Sequence, residues 1–460
     1  MDDATRLTRQ EWALLCSAYL SQFVAISFFY MAMTAILRSR GVPLEQLGWI
    51  YLLGILPGLK FLWAPLLDRY GFGRFGHYGK WLLLMQTLLL ITLLWLAALP
   101  MGLEDPLPLP ALIAGCALIA LLTSLQDIAA DGLSCRLLGP GQRGLGNAMQ
   151  MGIGMLGFAA GGGGVLILYE HWGWQTAILC LAALNALTLL QALLYREPER
   201  ARPLKTGHQP LKASWLRLWR FWQQPGTGWR WALLIGTTNS AFCMAYALIT
   251  PMLVDAGWST GRIGQYVNIY GVLIGTCSML LLGLLMQRWS VQQTMPWVIR
   301  SQALAVLSVL LLSLATHRGA GDAWLLAAVA AYMALYTPTD VLMPTLMMER
   351  ASAQAPATDF SMQHGLYQGM GIMISSAVGL QLAAAFGYTV AALIALGISL
   401  CLCITVPLLW HGANARASAV PDGGQATSTC ASPGFASSPD TDDANRIASP
   451  ARAQAMNLQP

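Results

Sequence analysis

Long apolar stretches alternate with short polar ones along most of this chain. Twelve of the apolar stretches run about twenty residues, enough to cross a bilayer core as helices. Their approximate bounds are 11–36, 46–66, 80–100, 110–132, 145–168, 174–195, 229–254, 263–286, 294–316, 323–347, 363–384 and 388–410. The first runs too long, and starts too near Arg6 and Arg9, to be a cleaved signal peptide. Connections are short except for Arg196 to Arg230, which divides the stretches six and six. This predicts an all-α membrane protein with an N-terminal six-helix half (1–195), a basic linker (196–228) and a C-terminal half (229–410). Residues 411–460, rich in Ala, Ser, Pro and Asp without hydrophobic period, are expected to be a disordered tail.

Polar residues are spread unevenly among the stretches. The third and twelfth are nearly uniform hydrocarbon, whereas the second carries Lys60, the fourth Asp127 and Asp131, and the tenth Asp340. Gln22, Asn239 and Asn268 mark the first, seventh and eighth. Every third helix is thus comparatively plain, although Asn185 and Arg300 interrupt that rule in the sixth and ninth. Two bundles follow, with helices 3, 6, 9 and 12 outside and the rest around a central cavity. The halves also echo each other. Gln126-Asp127-Ile128 answers Thr339-Asp340-Val341, and Gln150-Met-Gly-Ile-Gly-Met answers Gln368-Gly-Met-Gly-Ile-Met.

Composition fixes the solvent. Charged residues are 10% and hydrophobic residues 56%, against roughly 25% charged in soluble domains. The nine cysteines and six histidines form no metal-ligand spacing, so neither a metal nor another cofactor is expected. Most cations lie in loops beside the spans, so the net charge of +5 does not point to nucleic acid. With the N-terminus inside, Arg6, Arg9, Arg69, Arg74, Lys80, Arg136, Arg143, Arg288, Arg350 and the eight Lys/Arg from Arg196 to Arg230 all fall on the cytoplasmic side. Only Arg38, Arg40, Arg262 and Arg318 then face outward, which predicts cytoplasmic termini.

A carboxylate in lipid costs roughly 2.5–3.5 kcal/mol on insertion scales, so an acid there normally faces a cavity or the bundle interior. Asp127 and Asp131 share one helix face. Lys60 lies roughly 9 Å from the cytoplasmic end of its span, at the depth of Asp127. It can pair with that acid or snorkel to the interface. Desolvation and a nearby ammonium act on Asp127 in opposite senses, as a proton-titrating site requires. Asp340, with no cation in its span, is the second such candidate. Asp131 is the third, expected nearer water, beside Arg136 or loop cations, and His364 is expected at an interface. Gln22, Tyr30, Gln150, Asn239, Tyr266, Asn268, Tyr270 and Gln368 are candidates to line a substrate cavity, although the default reading of each one alone is an interhelical hydrogen bond. The glycines from Gly152 to Gly164 predict close helix packing.

Asp68-Arg69-Tyr70-Gly71, with Arg74 and Lys80 after it, resembles the loop signature of the major facilitator superfamily. That resemblance implies that Asp68, Arg69 and Arg74 latch a cytoplasmic gate. The second half has only Gln287-Arg288 there, so its latch is expected to be weaker or absent. More narrowly, Lys60-Phe-Leu-Trp-Ala-Pro-Leu-Leu-Asp-Arg69 with Gln126-Asp127-Ile-Ala-Ala-Asp131 is similar to the muropeptide-permease-like branch. That branch includes a compact group importing siderophores of the rhizobactin and pyochelin type, and the chain's length favours this group. The resemblance implies a monomeric bacterial inner-membrane permease that takes up a small-molecule substrate with protons. A siderophore is the preferred substrate and a muropeptide the alternative. A non-transporting membrane sensor is the alternative of another class. It would need a folded linker or tail, and neither shows the hydrophobic period of a folded domain.

Overall fold

The structure, a computed structural model, describes residues 7–33, 36, 37, 40, 42, 55–72, 76–102, 106–202, 211–258, 264–319, 321–368 and 374–418. The described residues form helices joined by short turns, with no strand among them. The first span is α1 (Arg9–Ser27), extended by a π-helical turn over Phe28–Met33. Thr8 and Glu11 close a reciprocal capping box at its start. The second span is broken into α2 (Ile55–Gly58), a 3-10 turn over Lys60–Leu62, and α3 (Ala64–Arg69). Pro65 follows the break: it has no N–H for the Phe61 carbonyl four residues back, and its ring crowds that carbonyl. The bonds that replace the α pattern reach only three residues, as from Trp63 N to Lys60 O at 3.0 Å.

The third and fourth spans are α4 (Tyr78–Ala97) and α5 (Leu109–Leu137). The fifth is α6 (Arg143–Phe158), which runs through a π-helical turn at Ala159–Gly164 into α7 (Val165–Leu194). α7 breaks at Gly173, whose φ of 78° suits a residue without Cβ, and continues as the sixth span. The linker holds α8 (Leu211–Phe221). The seventh span is α9 (Trp229–Thr237) with α10 (Ser240–Asp255), and the eighth is a π-helical Gly264–Gly271 followed by α11 (Val272–Leu285). The ninth is α12 (Val291–His317), and the tenth α13 (Asp322–Tyr336) with α14 (Thr339–Arg350). The eleventh is α15 (Pro356–Leu366) with α16 (Ser375–Phe386), and the twelfth α17 (Tyr388–Ser418).

Packing follows the expected layers. The plain spans carry rows of exposed apolar residues three or four apart: Leu84, Leu88, Ile91 and Trp95 on α4, and Leu400, Ile404 and Leu408 on α17. Those faces suit acyl chains. Inside, the glycine run lets α1 and the fifth span touch backbone to backbone. A Cβ on Gly157 would lie 3.0 Å from the Leu20 carbonyl oxygen, and one on Gly161 only 2.0 Å from that of Val24. Gly379 of α16 does the same against Met244 of α10, less tightly, at 2.8 Å. Close packing is therefore what the glycines supply.

Two expectations are revised. The last helix continues eight residues past the expected limit at 410, to Ser418, and the rest of the tail lies outside the described residues. The linker is not periodless: Trp215, Leu218 and Phe221–Trp222 recur at helical spacing, and α8 forms there.

Candidate functional site

The break in the second span sets Lys60 beside α5. Its Nζ donates to Asp127 Oδ2 at 2.6 Å and to Asp131 Oδ2 at 2.8 Å. One ammonium thus bridges two carboxylates that stand one helical turn apart on the same face. Lys60 pairs rather than snorkels. Asp131 departs from expectation: its side chain is 1% exposed, against 15% for Asp127, and its partner is Lys60 rather than Arg136 or a loop cation. Once the lysine sits inside, the i, i+4 geometry carries Asp131 to it as readily as Asp127.

Neighbouring helices complete the shell. Tyr19 OH of α1 donates to Asp131 Oδ1 at 3.4 Å and shares a 2.9 Å bond with Ser134 Oγ. Gln150 Nε2 of α6 reaches Asp131 Oδ1 at 3.5 Å. Gln22 lies beside Asp127, and its buried Oε1 has no partner among the described residues. The second half contributes as well. The Phe360 ring lies 5.8 Å from the Lys60 ammonium, and His364 stacks on Phe360 within electrostatic reach of Lys60 and Asp127. His364 is therefore part of this core rather than an interface residue. Its place follows from α15 packing against the broken second span, where Gly365 approaches Phe61.

Asp340, at the start of α14, has different company. Tyr367 OH donates to its Oδ1 at 3.1 Å, and among the described residues it makes no ion pair. Tyrosines surround it. Tyr332 and Tyr336 stand 4.8 Å apart between centroids, Phe242 stacks on Tyr336 at 5.0 Å, and Tyr246 stacks on Tyr332 at 6.0 Å. A second aromatic group, Trp258, Tyr266 and Tyr270, has centroid spacings of 5.8 and 5.4 Å. Sequence reading had named Tyr266 and Tyr270 but missed the group on α10 and α13. The recurrence of Tyr332 and Tyr336 one turn apart was the available signal.

Other candidates divide. Asn239 is fully buried and donates to the Tyr367 carbonyl at 3.1 Å, so it ties helices together rather than lining a cavity. Gln368 Nε2 lies 3.3 Å from His364 Nε2. Tyr30 and Asn268 sit in π-helical turns and their side chains, like the whole of Arg74, lie outside the described residues. Among the described residues no group of three His, Cys, Asp or Glu is arranged to hold a metal ion.

The end of the bundle that carries the start of α1 also carries a polar contact between the halves. Asp68 at the end of α3 accepts from the backbone N–H groups of Ala357 (3.2 Å) and Thr358 (2.6 Å), capping the N-terminus of α15. Tyr78 OH donates to the same carboxylate. Burial pushes the Asp68 carboxyl up to about 6, against the pull of Thr358 and Tyr78. Burial pushes neighbouring His77 down to about 4, so its neutral ring lies 2.7 Å from the Leu67 carbonyl and can donate to it. Arg69 places its guanidinium over the Tyr70 ring, 5.5 Å from the centroid. The matching contact of the second half is apolar: a Cβ on Gly144 would meet Met286 at 2.7 Å, and one on Gly283 would meet Ala148 at 2.5 Å. Asn147 Nδ2 adds a bond to Thr345 Oγ1 at 3.1 Å.

A family model described as Major Facilitator Superfamily matches residues 15–368. The chain belongs to that superfamily. As a member it is a multi-pass membrane protein, and its all-helical fold agrees with solved superfamily structures. The human organic anion transporter MFSD10 (TETRAN) superposes with a TM-score of 0.63 at 17% identity, over 86% of this chain and 99% of that one. The proton:xylose symporter XylE gives 0.61 at 11% identity, over 87% and 95%. At these identities the likeness speaks of the fold alone. The anhydromuropeptide permease of Escherichia coli (strain K12) is 32% identical over 252 residues, 54% of this chain and 50% of that protein. An uncharacterized protein of Haemophilus influenzae is 30% identical over 265 residues, 55% of this chain and 61% of that one. The match thus spans between half and three-fifths of these curated relatives. None of these likenesses supports the siderophore branch that chain length favoured.

Proposed function

We propose that this superfamily member is a proton-coupled permease of the bacterial inner membrane that carries anhydromuropeptide-class solutes. The observation that carries the coupling is the Lys60–Asp127–Asp131 cluster. Two carboxylates share one ammonium, so a single proton would bring the cluster to neutrality, and Asp127 is the acid with exposed surface to receive it. In the low-dielectric interior an unbalanced charge is costly, so loading and release of that proton would bias which face of the bundle is open. Asp340 is the second proton-handling acid. Gln22 and Gln150 line the charged half of the cavity, and the tyrosines of α10 and α13 line the other. Asp68 holds the closed end, which the positive-inside bias makes cytoplasmic, together with both termini and the linker.

The substrate reading rests on the 32% identity to the anhydromuropeptide permease. Length, which favoured a siderophore, is a weak guide because helices can be added or lost without altering the cavity. The test is uptake of labelled anhydromuropeptide into energised vesicles containing the full chain. Accumulation that collapses with a protonophore is expected. Accumulation that a protonophore leaves intact would sink the coupling, and accumulation of ferric siderophore in place of muropeptide would sink the substrate assignment. A sensor would accumulate neither.

A further inference from the structure

The linker helix is built with two working sides. On the bundle side Phe221 is fully buried, and Arg217 donates to Asp359 Oδ1 and Oδ2 at 3.2 and 3.3 Å and to Ser352 Oγ. On the other side Leu216 and Trp219, one turn apart, are 44% and 72% exposed. Arg220 is exposed beside them. A helix with an apolar strip, tryptophan and arginine on its outer side suits the plane of a bilayer surface.

The chain then turns at Gly226, where φ is 86°, and enters the seventh span at Trp229, itself 59% exposed. Between the end of α8 and the start of α9 lies a cleft of about 500 Å³ lined by Trp222, Gln223, Gln224, Pro225, Trp229 and Arg230. The Arg230 guanidinium lies 5.5 Å from the centroid of the Trp229 ring. The apolar span Trp229–Leu253 starts at this cleft, which sets it at headgroup depth, where tryptophan is favoured. The stretch is basic in sequence, although Arg200 pairs with Glu11 and Arg217 with Asp359. From Arg200 to Val254 the sequence has seven Lys/Arg and no Asp or Glu.

We propose that this cleft seats the headgroup of an anionic phospholipid whose acyl chains lie along Leu216, Trp219 and Trp229. The phosphate would meet guanidinium, amide and indole donors, while the exposed apolar strip would be covered by the same molecule. A soluble anion would use the charges and leave the strip bare. Because Arg217 on the opposite side of α8 holds Asp359, the bound lipid also braces the first turn of α15. That is the turn whose N–H groups Asp68 grips. This seat is independent of what the permease carries.

Native mass spectrometry of the full-length protein, incubated with phosphatidylglycerol or phosphatidylcholine, tests the seat. Preferential retention of phosphatidylglycerol is expected. Removing both charges, Arg220→Gln with Arg230→Gln, should weaken it roughly thirtyfold, at about fivefold per charge, and leave phosphatidylcholine unchanged. Trp219→Ala, a change on a mostly exposed side chain, should also weaken it with circular dichroism unaltered, and this variant decides alone if the double variant fails to fold. Equal retention of the two lipids, or no response to these substitutions, would overturn the seat. Displacement of phosphatidylglycerol by excess inorganic phosphate would reassign the charges to a soluble anion and overturn it too. For the bracing, phosphatidylglycerol bilayers should slow amide exchange at Ala357 and Thr358 relative to phosphatidylcholine bilayers. Equal exchange would refute it.

Discussion

The two halves of this molecule share a helical plan and differ in chemistry. In the first half Lys60 bridges Asp127 and Asp131 amid tyrosine, glutamine and serine donors. At the corresponding place in the second half Asp340 has a tyrosine partner, no ion pair among the described residues, and a wall of aromatic rings. The latch repeats the contrast. Asp68 caps a helix of the second half, whereas the reciprocal contact is glycine against methionine and alanine. The shared helical plan thus carries charge at one of the two corresponding places and aromatic rings at the other.

The strongest challenge to this contrast is removal of the lysine. Lys60→Met leaves two buried carboxylates without their cation, and truncating one member of a buried charge cluster costs about 3–5 kcal/mol. We expect abolished uptake and a clearly lowered melting temperature in detergent. Adding Asp127→Asn and Asp131→Asn should restore the melt without restoring uptake. A wild-type melt for Lys60→Met alone would show that the cluster carries little net charge.

Next comes the acid pair across the halves. Asp127→Asn should cut proton-driven accumulation by on the order of a hundredfold, the usual scale for losing a positioned proton-transfer group, while unlabelled-for-labelled exchange persists. Asp340→Asn should cut it less. Equal losses would erase the asymmetry.

Backbone contacts offer a smaller test. Gly161→Ala drives a methyl into the Val24 carbonyl and should cost about 1–3 kcal/mol. Gly379→Ala should cost less, and Gly163→Ala, with nothing within 4 Å of the added carbon, least. Chemical denaturation or thermal shifts would rank them.

The smallest effect concerns the latch. The Asp68 carboxyl is raised to about 6 when closed, and Asp359 lies near enough to add to that rise. Its protonation therefore favours closure. That contribution is complete below about 4, the ordinary aspartate value, and is lost as pH rises through about 6. Spin labels on α3 and α15 should report a closed fraction that falls over this window and is level above it. Asp68→Asn should flatten the profile, and an unchanged profile would assign the titration to another group.

Much of this was legible in the sequence because membrane helices announce themselves by length, and an acid in hydrocarbon announces itself by cost. The spans, the plain outer helices and the close-packing glycines follow from local pattern, which left Lys60 to pair with Asp127 or to snorkel. What escaped required two elements at once. Asp131 seemed near water because its helix was read alone, without the break in the second span that brings Lys60 inward. His364 seemed interfacial because only α15 packing on that break makes it central. α8 was overlooked because a search for hydrophobic spans passes over a short strip whose other side is basic.

One property of the latch bears on how this protein can vary. Asp68 is held by the main-chain N–H groups of Ala357 and Thr358, which every residue but proline supplies. Small replacements at 357 or 358 therefore keep the two donors, but both side chains are buried and Ala357 packs against Gly132 of α5, so bulky ones do not fit. In a genetic selection for variants stuck open at this end, hits should gather at position 68 and at Tyr78. Positions 357 and 358 should contribute proline and bulky replacements, and almost no small ones.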